Sequence, residues 1–209
     1  MTSRVTFPYA EAIEGRVVRL TPLQWDDVPA LMEIARAAPH EFDLTSTPRD
    51  DAEGKAYFEE ALREVEAGAA HVVTVWDRAG RIIGTSRLRA YDRRHNRCEL
   101  GYTWYHPSVF RTAVNTECKL LLLELAFEGL GVNRVQIQTD ARNLRSQKAI
   151  LALGAEFEGV LRRHMVAKDG YVRDSVIFSI IDATWPSVRL RLRERLEERL
   201  ARDAANAVG

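Results

Sequence analysis

Arg16–Leu20 alternates and predicts a first strand, and Thr21–Asp27 a turn into a helix with apolar positions Leu31, Met32, Ile34 and Ala35. Pro39 ends that helix, and residues 39–49 form a loop carrying two apolar side chains, Phe42 and Leu44. Asp50–Ala67 is patterned as an amphipathic helix closing at Gly68. His71–Trp76 and Arg81–Ala90 read as strands around the hairpin turn Asp77-Arg-Ala-Gly80. In the next strand, Cys98–Tyr105, alternation puts Leu100, Tyr102 and Trp104 on one side and Glu99, Gly101 and Thr103 on the other. Thr116–Leu130 has the wide apolar stripe of a packed helix, closed by Gly131. Val135–Thr139 is a short strand, and Asn143 caps a short helix ending at Gly154. Two long strands, Ala155–Val166 and Tyr171–Ile181, flank Lys168-Asp-Gly170, and a last helix runs from Trp185 to Arg202.

That order, β-α-α-β-β-β-α-β-α-β-β-α, predicts an α/β fold with a mixed sheet and helices on both faces. No repeat, linker or break divides the 209 residues, so one domain over 1–209 is expected, with a core at 15–183 and a terminal helix at 184–203. Charge narrows the partners: 30 basic and 30 acidic residues cancel, which leaves no broad basic field for nucleic acid. The longest apolar run, around Leu120–Leu123, is interrupted by Glu124 and cannot span a membrane. Met1-Thr-Ser-Arg-Val5 lacks a signal-peptide core. Cys98 and Cys118 form no C-x-x-C, and the five histidines lack metal-ligand spacing. A soluble cytoplasmic protein without a metal is the expectation.

Chemistry concentrates between Tyr105 and Ser146. A strand there opens onto a helix N-terminus through Val109, Phe110, Arg111, Thr112, Ala113, Val114, Asn115 and Thr116, and a second strand-to-helix junction follows at Asn143. Unpaired N–H groups at a helix start favour an anion. Such a pair of junctions can hold a pyrophosphate and clamp a long thin cofactor such as coenzyme A between two strands. Arg111 and Thr112 could add side-chain contacts to phosphate. Taken alone, the first junction reads sooner as an ordinary loop with Thr116 near the cap.

Three blocks carry a resemblance. They are Glu99-Leu-Gly-Tyr-Thr-Trp104 with Phe110–Leu123 and Ala126–Glu128; Asn133–Val135 with Thr139–Ser146 and Leu153–Ala155; and Glu158–Arg162 with His164, Asp169–Gly170, Arg173–Asp174 and Phe178–Ser179. In these blocks residues 15–187 resemble an N-acetyltransferase of the GNAT superfamily, RimJ/RimL-like type. The resemblance implies a mostly antiparallel twisted sheet of about seven strands and acetyl transfer from acetyl-CoA directly to an amine. It also implies backbone contacts from Thr103, Trp104 and Tyr105 to the pantetheine arm, with pyrophosphate on the loop into the helix. There are two departures. The family's loop, Gln/Arg-x-x-Gly-x-Gly/Ala, has no glycine here, although Ala113 is small and Asn115 tolerates unusual backbone angles. Ile150 stands where many members carry a tyrosine acid.

The individual roles keep two readings each. Glu99, mid-strand among apolar neighbours, is either a base of raised pKa for an ammonium substrate or a surface partner of Arg87, Arg89 or Arg97. Ser146 either protonates the departing sulfur or merely touches cofactor, while Asn143 caps its helix and can also face a ligand. Tyr102 and Trp104 are core or substrate platform, and Phe42 and Leu44 are core or part of the acceptor pocket. Arg162 and His164, on one strand face by alternation, could meet an acidic acceptor, or they and Arg163 are solvated charges. The last helix holds six arginines and three glutamates between Arg189 and Arg202, with a seam of Val188, Leu192, Leu196 and Leu200 and the i,i+4 pairs Arg193–Glu197 and Glu198–Arg202. The seam docks on the domain or makes a dimer contact, so monomer and homodimer stay open; the glutamates dilute any RNA-binding role. The acceptor is a small amine or a protein N-terminus. Two rivals are a non-catalytic acyl-CoA-binding sensor or partner module of the same fold, and a nucleotide-phosphate binder, which lacks a P-loop lysine here.

Overall fold

The computed structural model describes residues 11–208, and their strands form one eight-stranded sheet. Met1–Val5, expected to lack a signal-peptide core, lie outside the described residues. In chain order the strands are β1 (Ile13–Glu14), β2 (Val18–Pro22), β3 (His71–Asp77), β4 (Ile82–Asp92), β5 (Arg97–Tyr105), β6 (Arg134–Asp140), β7 (Glu156–Val166) and β8 (Val172–Ile181). The helices are α1 (Val28–Ala37), α2 (Asp51–Glu66), α3 (Val114–Glu124), α4 (Leu144–Leu151) and α5 (Trp185–Val208). In the sheet the strands lie in the order β1-β2-β3-β4-β5-β6-β8-β7. All neighbours run antiparallel except β5 and β6.

That parallel pairing is short. Only Arg97, Cys98 and Glu99 face Arg134, Val135 and Gln136. Past them β5 continues to Tyr105 and β6 to Asp140 without pairing to each other, so the sheet opens as a wedge. A bulge in β5 accompanies the parting. Thr85 faces Trp104 and Arg87 faces Gly101, so three steps of β5 oppose two of β4, and Tyr102 takes φ +52°. A bulge bends its strand and increases its twist.

The bulge also overturns the alternation expected for this strand. Leu100 packs in the larger core, under α3 and α5, whereas Trp104 and the partly buried Tyr102 pack with α1 and α2 on the opposite face. Thr103 points the other way from Trp104 and hydrogen-bonds Lys119 of α3. Glu99 therefore shares a face with Tyr102 and Trp104, not with Thr103.

The larger core sets Leu120, Leu122 and Leu123 of α3 against Leu88, Leu100, Val135 and Phe178. Val188, Leu192 and Leu196 of α5 are buried on it, with Leu200 partly so, and Trp185 stacks on Phe127 at 5.0 Å. The α5 seam thus docks within the chain. Arg193 pairs with Glu124 and Glu197 with Arg16, in place of the expected Arg193–Glu197 pair. Glu117 ties α3 to β2: its carboxylate, buried, accepts the N–H groups of Arg16 (2.7 Å), Val17 (2.7 Å) and Val18 (2.9 Å).

Boundaries differ from the sequence pattern in several places. The first strand is displaced to Val18–Pro22 and β1 adds a two-residue edge, giving eight strands instead of about seven. The 39–49 loop contains a 3-10 turn at Pro39–Phe42. The helix expected at Thr116–Leu130 is α-helical from Val114 to Glu124 and then widens to a π-helix over Leu125–Gly129. The terminal helix runs on to Val208.

Candidate active site

The two strand-to-helix junctions meet at the mouth of the wedge. After β5 the chain makes a 3-10 turn at Pro107–Val109, and Arg111 takes φ +65° to start α3. Thr112 Oγ1 donates to the Val109 carbonyl at 2.7 Å and accepts the Val114 N–H at 3.3 Å, which folds the loop on itself. Ala113, at the N-cap, supplies no side-chain oxygen. Its N–H instead donates to Asp203 Oδ2 of α5 at 2.8 Å, and Arg199 donates to the Arg111 carbonyl. An anion therefore already sits at the start of α3. Val114 and Thr116 are buried, Asn115 half-buried, and Phe110 lies under the Arg145 guanidinium at 5.5 Å.

At the second junction Asn143 is an N-cap, its Oδ1 accepting the Ser146 N–H at 2.9 Å. Ser146 itself is half-buried. Ile150, one turn on, is 5% exposed and belongs to the larger core.

At the foot of the wedge lies Glu99, 8% exposed, taking a hydrogen bond from Gln138 Nε2 of β6 at 3.1 Å. Burial raises its pKa; the Gln138 amide, Arg89 and Arg173 oppose that rise. The alternative of a surface glutamate paired with nearby arginines does not hold. Arg87 and Arg89 both turn to Glu64 of α2, and Arg97 to Asp92. Tyr102 stands beside Glu99, its ring centroid 4.6 Å from the Arg87 guanidinium and 4.9 Å from that of Arg89. A tyrosine in the left-handed region costs about 1 kcal/mol or more and is held by its surroundings. Arg87 is fully buried between the Tyr57 and Tyr102 rings, with Nη2 on the Tyr57 carbonyl at 3.2 Å and Nε and Nη1 without a hydrogen-bond partner.

Other residues expected at the site scatter. Trp104 is core: its indole N–H donates to Tyr57 Oη at 3.2 Å, and Phe42 meets its ring edge-on at 6.1 Å, also buried. Tyr105 is fully embedded in the larger core. Two extra residues of β7 bulge between Leu161 and Met165, with Arg163 at φ +50°, so simple alternation does not carry Arg162 and His164 to one face. His164 Nδ1 lies 3.0 Å from Ser175 Oγ, which also accepts from Arg173 Nε at 3.0 Å, while Arg162 stays in solvent. The 39–49 segment and the β7–β8 hairpin flank this face. Arg145 of α4 pairs with Glu41, and Lys168 donates to the Thr47 carbonyl at 2.8 Å and to Glu53 at 2.6 Å.

Sequence reasoning missed Gln138, Arg173, Lys119 and Asp203. The polar alternation of Gln136, Gln138 and Asp140 along β6 was the available signal for Gln138. Lys119, fully buried, donates to Ser86 and Thr103 hydroxyls, and burial pushes its pKa down to about 8. It steadies β5 from behind, since Thr103 Oγ1 also donates to the Gly101 carbonyl at 3.2 Å. No cluster of three or more His, Cys, Asp or Glu among the described residues could hold a metal ion. Nor is any helix among them long and apolar enough to cross a membrane.

Residues 18–156 match the family model described as an acetyltransferase (GNAT) domain. A Bacillus subtilis (strain 168) relative, the uncharacterized N-acetyltransferase YoaA, is 30% identical over 100 residues, 48% of this chain and 55% of the relative. This chain thus spans about half the length of the curated relatives it matches. A GCN5-related N-acetyltransferase from Brucella melitensis superimposes with a TM-score of 0.80 at 28% identity, over 90% of this chain and 86% of that one. RimJ of Mycobacterium smegmatis, solved with CoA-disulfide, shares the fold with a TM-score of 0.77 at 18% identity, over 90% of this chain and 95% of its own.

Proposed function

Because this chain belongs to the GNAT acetyltransferase family, we propose that it moves an acetyl group from acetyl-CoA directly to an amine, with the cofactor lying in the β5–β6 wedge. One observation carries the placement: β5 leaves β6 after Glu99, and α3, whose N-cap Ala113 N–H already donates to a carboxylate, begins beyond the far end of β5. The residues present fit the cofactor. Beyond Glu99, β5 has no strand on the β6 side, so backbone groups of Thr103–Tyr105 suit an extended amide-bearing arm, and the N–H groups of Ala113–Thr116 suit a pyrophosphate. Small Ala113 lets the ligand approach the backbone in place of a glycine. The bound cofactor supplies a thioester carbonyl that an amine can attack.

The chain's own residues orient the amine and handle protons. Glu99, raised above its usual range by burial, takes the ammonium proton on its carboxylate, directly or through a water. Tyr102, turned to the same face by the bulge, narrows the space above it. The Ser146 hydroxyl supplies a proton to the departing sulfur, since Ile150 carries no acid. Holding amine and thioester together provides much of the acceleration. The acceptor is a small amine or a protein N-terminus, reached between the 39–49 segment and the β7–β8 hairpin. The sheet and α5 act as a single domain.

Ile150 in the core favours one second reading, an acyl-CoA-binding module without turnover. Trideuteroacetyl-CoA, incubated with an amine panel and with cell extract, separates the two by mass spectrometry. Label on an amine with release of CoA is expected. Acetyl-CoA binding without label transfer supports the second reading, and no binding at all overturns both.

A further inference from the structure

We infer that Asp203 sets the affinity of the cofactor site by competing with the ligand's phosphates for the N-terminus of α3, resting on the cofactor placement proposed above. Its carboxylate takes the Ala113 N–H at 2.8 Å from 90 residues away, and no side chain of the α3 start does so. The contact is part of a built arrangement. One turn earlier, Arg199 donates to the carbonyl of Arg111, so a single face of α5 grips the loop on both sides of Thr112. A further turn back, Arg195 donates to the Ala152 carbonyl at 2.8 Å and fixes that face against the end of α4. Arg195 and Arg202 lie close enough to Arg199 to lower its proton affinity alongside burial.

The charges explain the competition. Asp203 is an acid beside Arg199, at the place where helix polarity favours an anion. A phosphate on Ala113 N–H would meet the Asp203 carboxylate as a like charge, so the carboxylate must withdraw before phosphate binds. Once it has gone, Arg199, held on the Arg111 carbonyl of the same loop, remains beside the new anion. Apparent affinity then equals the intrinsic affinity multiplied by the fraction of molecules in which Asp203 has let go.

Calorimetric titration with acetyl-CoA, and separately with inorganic pyrophosphate, tests this on Asp203→Ala, Asp203→Asn and the wild type. The alanine variant should bind both ligands about tenfold more tightly, a factor set by a cap of ordinary strength. The asparagine variant, which keeps an acceptor without the charge, should lie between. Glu194→Gln, which removes an exposed charge from the same helix, should bind like wild type. Equal or weaker binding by both Asp203 variants overturns the inference while leaving the cofactor placement standing. Failure of every protein, wild type included, to bind acetyl-CoA overturns both.

Discussion

Gln138→Leu removes the amide that donates to Glu99 across the foot of the wedge. Burial already holds the Glu99 carboxyl above its usual range, and that amide is the foremost of the influences opposing the rise, ahead of Arg89 and Arg173. A hydrogen bond to a charged group contributes about 1.5–3 kcal/mol. That bond favours the ionised carboxylate, so losing it should lift the Glu99 pKa further. Leucine is close to glutamine in volume, which keeps the packing perturbation small. Glu99 accepts a proton only when ionised, so kcat/KM should fall on the acid side with its pKa. The acid limb of the pH profile should therefore move to higher pH, with the alkaline limb in place. Glu99→Gln should remove that limb and lower kcat/KM by about 10²–10⁴. An acid limb unmoved in Gln138→Leu, or still present in Glu99→Gln, would refute the base assignment.

Ser146→Ala should lower kcat at least about tenfold while leaving unfolding unchanged, because the Asn143 cap uses only the backbone N–H of that residue; unchanged turnover removes the acid role. Glu117→Ala strands three N–H groups and should cost about 2–4 kcal/mol in urea unfolding, and a loss below about 1 kcal/mol would show that the clasp is not structural. His71 is held down to about 4 by burial, so between about 6.5 and 4 the unfolded chain binds more protons there. Stability should be lost as pH falls through that window, by about 3 kcal/mol from this residue, and His71→Leu should flatten the slope relative to wild type; an equal slope in both contradicts it.

Much of the element order was legible because most strands and helices keep one period. Asn143 declared its helix, and Pro39 and Gly131 marked ends where the structure has them. Where the reading failed, the cause was tertiary. No letter in Gly101-Tyr-Thr103 announces a bulge, since the left-handed residue is a tyrosine held between two arginines and Tyr57. That single bulge puts Thr103 on the face of Leu100, and Glu99 on the face of Trp104. The start of α3 was placed late because its cap comes from Asp203, not from the neighbouring sequence. Of the two readings of Glu99, the surface pair fails for a similar reason: Arg87 and Arg89 are claimed by Glu64, on a helix packed over the strand.

The placement of the cofactor is tested most directly by amide NMR of the ¹⁵N-labelled chain during titration with acetyl-CoA. Shift changes are expected at Ala113–Thr116, at Thr103–Tyr105 and at Asn143–Ser146, the two junctions and the half of β5 that β6 does not pair. No change there, or changes confined to the surface hollow lined by Ala30, Ile34, Trp76, Ile82 and His106, would contradict it.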